Sequence, residues 1–184
     1  EIGINNNNRV EYNYVNGTTF GRLYGSLSVQ NINCNIRNFI VENVTDIDMQ
    51  NAFPTILMNI CNDYGIHCLN LKNYVANRDD FKIIKSNEKQ NYLGSFLSLL
   101  CQHYENILLG YMREYCQHNC IGVHSLLFDG LLVYGSIEKE QIKEMEKYIK
   151  TKSTWDISLC TKEIKTTLKL PEDYQPACTN PILQ

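Results

Sequence analysis

Three aspartates stand where a chain could use them together. Asp46 and Asp48 close the run Phe-Ile-Val-Glu-Asn-Val-Thr-Asp-Ile-Asp that begins at Phe39, and Asp129 lies within Val-His-Ser-Leu-Leu-Phe-Asp-Gly-Leu-Leu-Val-Tyr, residues 123–134. The first run reads as a strand ending in acid. The second is two short apolar runs joined at Asp129-Gly130, and Asp-Gly in that setting is a strong hairpin signal that places Asp129 at the tip. If the two strands are neighbours, Asp48 and Asp129 meet. Such a pair can hold two magnesium ions about 3.5–4 Å apart, one activating an attacking hydroxyl and the other stabilising the oxygens of a leaving phosphate. Asp46, two residues before Asp48 and on the same strand face, is a candidate third ligand. Each acid also has a plain structural use, Asp48 as the cap of the next helix and Asp129 in a turn.

The elements that must position these acids follow from the pattern around them. Pro54 opens an apolar helical stretch through Ile56, Leu57 and Ile60 that stops near Gly65, giving strand, tight turn and helix. Helix is expected again from Leu69 to Leu100, in two pieces broken around Ser86-Asn87, and from Gln102 to Cys116. Glu138 to Lys150 is an amphipathic helix, and Asp156 to Leu170 alternates as one or two strands. Val10, Tyr12 and Tyr14 alternate with polar residues as a short edge strand after the Asn-rich start, and the three glycines from Gly17 to Gly25 mark a turn or a close backbone approach.

Composition sets outer limits. A length of 184 residues suits one main domain, and no stretch approaches the roughly 20 apolar residues of a membrane span. A net charge of −3 argues against a uniformly basic nucleic-acid-gripping surface, so any phosphate contacts must be local. The eight cysteines, with no signal-peptide pattern and a start at Glu1-Ile2-Gly3, read as reduced intracellular thiols in a piece of something longer. Cys101, His103, Cys116, His118 and Cys120 are ligand types that zinc accepts. Their spacing matches no familiar zinc module, and packing cysteines on a helix are the expected reading.

The stretch Asp48-Met49-Gln50-Asn51-Ala52-Phe53-Pro54-Thr55-Ile56 resembles the first catalytic motif of palm-type polymerases, in which an aromatic residue follows the aspartate by five. In family B DNA polymerases a proline comes next, as here. In that family and in reverse transcriptases the aromatic residue is the steric gate against a ribose 2′-hydroxyl, so the resemblance gives Phe53 that role and implies deoxynucleotide substrates. Upstream, Gly21-Arg22-Leu23-Tyr24, Gln30-Asn31-Ile32 and Ile36-Arg37 are similar to family A DNA polymerases, where such pieces precede the catalytic aspartate. There Arg22, Gln30, Asn31 and Arg37 would lie against primer-template.

Between the acids, Arg78, Lys82, Lys85 and Lys89 are spaced to share one helix face, a phosphate-facing stripe. Lys89-Gln90-Asn91-Tyr92-Leu93-Gly94 is loosely similar to the family A motif that holds the incoming triphosphate, which adds Tyr92 to the nucleotide-binding set. Two departures stand out. Gly130 follows Asp129 where family A has Glu and family B has a nearby second Asp, and the interval from Lys89 to Asp129 is short, so the fingers are reduced.

The resemblance implies an α/β (α+β) fold: a palm-like antiparallel sheet carrying the acids, backed by helices. Residues 1–16 form an extension, 17–135 the palm with fingers at about 66–120, and 136–184 a helix and strands that complete the palm or lead to a thumb. It implies a DNA polymerase core using two Mg2+ ions, deoxynucleoside triphosphates and primer-template nucleic acid, within a longer polypeptide. A primase-like or reverse-transcribing use of the same acids is open, as is a catalytically silent palm acting as a binding module. The Asn, Ile and Lys richness suggests an AT-rich genome such as that of a virus or mobile element.

Overall fold

A computed structural model describes residues 10–14, 19–26, 28–76, 92–162 and 164. In chain order the elements are β1 (Tyr12–Tyr14), β2 (Leu23–Gly25), a 3-10 turn (Val29–Asn31), α1 (Cys34–Ile40), β3 (Val44–Met49), α2 (Ala52–Asp63), α3 (Leu69–Ala76), α4 (Tyr92–His118), β4 (Val123–Leu126), β5 (Gly130–Tyr134), α5 (Lys139–Ser153) and β6 (Leu159–Lys162). This is an α+β protein. Four strands form one sheet in the order β4-β5-β3-β6, with every neighbouring pair antiparallel, and β1 pairs with β2 apart from it. The sequence β3, helices, β4, β5, α5, β6 in that strand order is a split β-α-β arrangement.

The central strand β3 shows how alternation sorts its residues. Ile47 and Met49 face the helices and join Leu131 and Val133 of β5, Ile56 of α2, Leu108, Met112 and Cys116 of α4, and Met145 and Ile149 of α5 in the main core. Asp46 and Asp48 point to the other face. There the register sets Asp48 beside Gly130 and Cys160, and Asp46 beside Leu132 and Lys162. Leu132 continues into a second, smaller cluster with Val41 and Leu127, packed by Val29, Val44 and Ile164. The acid-bearing face is therefore apolar at one end and polar at the other.

Local signals explain the element ends. Asn51, in the left-handed conformation at φ 49°, turns the chain from β3 into α2, and Pro54 sits in the first turn, where no intrahelical bond needs its missing N–H. Because Asn51 is the N-cap residue, Asp48 does not cap this helix. In α5 a capping box joins Glu138 and Gln141, and Lys150 and Lys152 lie in the last turn, where the helix dipole favours cations.

One element boundary corrects the sequence reading. The run from Phe39 is not strand throughout: α1 continues to Ile40, Asn43 turns the chain at φ 50°, and β3 begins at Val44. The β-branched and aromatic residues at 39–41 gave a strand signal, but Val41 packs into the smaller cluster through the helix end instead. The N-terminal segment is tied to the sheet. The Tyr12 hydroxyl accepts from the Leu126 backbone N–H at 3.0 Å, and Tyr14 Oη accepts from Asn106 on α4 at 2.9 Å. Among the described residues no helix is long and apolar enough to cross a membrane.

Candidate active site

Asp48 and Asp129 come together where β3 ends and the β4–β5 hairpin turns. The Met49 backbone N–H donates to the Asp129 carbonyl at 2.8 Å, which fixes the tip against the strand. Gly130 makes this approach feasible. A Cβ built there would run into the Ile47 carbonyl oxygen and the Asp48 carboxylate, so the position has no room for a side chain. Both aspartates line a cavity of about 690 Å³, together with Arg22, Phe53, Pro54, Glu105, Cys160 and Lys162.

Charge within this cavity is arranged in pairs. Asp48 is 3% exposed, and its Oδ2 takes an ion pair from Lys162 of β6. Glu105, on α4 and 1% exposed, accepts from Arg22 Nε at 2.6 Å. Burial pushes the Glu105 carboxyl up to about 7; Arg22 opposes this and the charge of Asp129 adds to it. Arg22 lies over two aromatic rings, its guanidinium carbon 4.7 Å from the Phe128 centroid and 5.3 Å from that of Phe53. Burial likewise raises the Cys160 thiol, with Asp46 and Asp129 contributing.

Asp46 shares the strand face with Asp48 but does not line the cavity. It is buried, its Oδ1 lacks a hydrogen-bond partner, and Arg37 Nη2 stands 4.0 Å from its Oδ2. Burial raises its pKa, against the pull of Arg37 and Lys162 and with a push from Asp129. Arg37, expected at primer-template, therefore faces this acid.

Gln30 and Asn31 brace the turn after β2. The Gln30 side chain accepts from the Gly25 N–H at 2.9 Å and donates to the Leu23 carbonyl at 3.1 Å, while Asn31 Nδ2 donates to the Gly25 carbonyl at 2.7 Å. Gln30 is buried, so its amide holds the backbone that presents Arg22. Phe53 is the second residue of α2 and lines the cavity. Arg78, Lys82, Lys85 and Lys89 lie outside the described residues, and Tyr92 opens α4.

Cys101 and Cys116 are core residues of α4, Cys120 is exposed, and the His103 ring stacks on Phe20 at 4.0 Å. Among the described residues no group of three or more His, Cys, Asp or Glu is placed to hold a metal ion by itself. Magnesium rarely asks for a full protein cage: one or two carboxylates, with waters and substrate phosphates, satisfy it. The Asp48 and Asp129 oxygens, with the unpartnered Asp46 Oδ1 behind them, are hard donors that fit such an ion.

Sequence reasoning missed Glu105, Phe128, Cys160 and Lys162. Glu105 carried a readable signal, an acid on a helix stripe whose neighbours Cys101, Leu108 and Leu109 are apolar and buried. Lys162 carried none, since only the pairing of β6 with β3 brings it to Asp48. No protein-family model, curated protein or solved structure matches this chain.

Proposed function

We propose that this chain is the palm of a template-directed DNA polymerase, which adds deoxynucleotides to a primer 3′-hydroxyl and releases pyrophosphate. The observation that carries the reading is the meeting of Asp48 and Asp129 at one end of a polar cavity rimmed by Phe53. The motif around Asp48 asks for Asp48 and Phe53 together, and the Asp-Gly hairpin supplies Asp129. Asp48 and Asp129 would hold two magnesium ions, with Asp46, on the same strand face, as the candidate third ligand. When bound, such ions activate the attacking hydroxyl and neutralise charge on the triphosphate.

The chain's own residues supply the rest. Phe53, at the mouth of α2, excludes a 2′-hydroxyl by contact. Arg22 brings positive charge to the cavity beside the acids, and the Gln30 and Asn31 amides keep its strand in place. Lys162 neutralises Asp48 until a metal and triphosphate arrive. Primer-template, deoxynucleoside triphosphates and further domains of a longer polypeptide are the partners this reading requires.

Primer extension with magnesium and the four deoxynucleotides tests the reading. The intact chain should extend, and Asp48→Asn and Asp129→Asn should each abolish extension. Substituting ribonucleotides, or an RNA template, separates the reverse-transcribing and primase-like uses of the same site. One observation favours a second reading, a silent palm that binds nucleic acid or protein: an ammonium already seated on Asp48. Absence of any magnesium-dependent triphosphate binding would support that alternative.

A further inference from the structure

We propose that Glu105 is a positioning residue for sugar selection, holding the Arg22 guanidinium between Phe53 and Phe128 so that the Phe53 ring keeps its place at the cavity rim. This rests on the polymerase reading of the same site. Three observations converge on it. Glu105 is almost wholly buried on α4, and its bond to Arg22 Nε is short at 2.6 Å. The guanidinium it holds lies over both rings, at 4.7 and 5.3 Å. Phe128 is in turn braced edge-on by Tyr24, with centroids 5.5 Å apart.

The geometry constrains what Arg22 can do. A guanidinium is planar, so fixing Nε to one carboxylate and setting the cation over two aromatic rings leaves little freedom to swing. Its Nη groups remain as donors toward a ligand, while the Nε side is committed to the protein. Phe53 therefore packs on a rigid cation whose place is set by α4. An unheld Arg22 would be drawn to Asp129 or to incoming phosphate, and the ring would lose one wall. Gate stiffness, on this account, is set by an acid that acts on the gate through Arg22.

The test compares incorporation efficiency for deoxynucleotides and ribonucleotides by the full chain. Glu105→Leu, which removes the acceptor and keeps an apolar shape, should lower the deoxy-over-ribo preference about tenfold, the scale of one partly desolvated cation–π contact. Glu105→Gln, which retains an acceptor for Nε, should keep the preference. Arg22→Met tests the link from the other side should Glu105→Leu fail to fold, and should lose the same factor. The double substitution should lose no more than either single one, because both act through one contact. An unchanged preference in Glu105→Leu and Arg22→Met, or losses that multiply, overturns the inference and leaves the polymerase reading standing. A wild-type chain that neither extends a primer nor binds magnesium-triphosphate overturns both.

Discussion

Asp46 and Asp48 stand two residues apart on one face of one strand, and their surroundings differ in kind. Asp48 opens onto a cavity, with Asp129 across the hairpin and Lys162 paired to it. Asp46 lies beside Leu132 and away from the cavity, with an unpartnered oxygen and Arg37 at the limit of an ion pair. The strand alone makes them equivalent. What separates them is what the rest of the chain lays over the sheet: the hairpin tip and α2 frame the polar end, while Val41, Leu127 and Val29 seal the other. Both acids are buried, but Asp48 lines the cavity and Asp46 does not, so Asp48 can work on a ligand directly while Asp46 acts through the field it casts.

The sharpest way to break that comparison is to neutralise each acid in turn. Asp48→Asn should lower primer extension at least about a thousandfold, as expected when charge neutralisation at a reacting phosphate is lost. Asp46→Asn should cost only about tenfold, the effect of a charge that acts at a distance through its neighbours. Equal losses would place both acids on the metal.

Gly130 sharpens the comparison at the level of packing. Gly130→Ala should destabilise the fold by about 3 kcal/mol, measured by urea unfolding, because the new methyl meets the Ile47 carbonyl and the Asp48 carboxylate. Gly122→Ala, whose Cβ would meet only the side chain of Tyr134, should cost less. Matched losses would mean that β5 does not press against β3 at the acid end.

Buried Glu105 makes stability depend on pH with a definite sign. Its carboxyl titrates near 4.5 in the unfolded chain and near 7 in the fold, so between those values the folded state binds more protons. Stability should therefore fall as pH rises from about 4.5 to about 7, by up to about 3 kcal/mol from this group. Glu105→Gln should flatten that slope in urea midpoints taken across the range. The smallest effect concerns Lys162. Lys162→Met removes the ammonium from Asp48 and should tighten magnesium-triphosphate binding a few-fold in calorimetry, about 1 kcal/mol.

Much of this was legible in the sequence where the controlling interactions are short-range. The Asp129-Gly130 hairpin, the Pro54 helix and the amphipathic α5 each follow from residues within a few positions of one another. The antiparallel sheet backed by helices was what the resemblance to palm-type polymerases implied. The start of β3 was misplaced because Phe39 and Ile40 favour strands by type, and the turn at Asn43 depends on a left-handed conformation the pattern does not announce. Glu105 and Lys162 reach the cavity only through tertiary packing. Gln30 was legible as a functional polar residue, yet its amide is spent on the backbone around Arg22.

The central claim is that Asp48 and Asp129 share one metal site completed by a triphosphate. Manganese, as a magnetic stand-in for magnesium, can be titrated by electron paramagnetic resonance into the full chain with a non-hydrolysable deoxynucleoside triphosphate. The account predicts triphosphate-dependent manganese uptake that both Asp48→Asn and Asp129→Asn remove. Uptake that survives either substitution would contradict it.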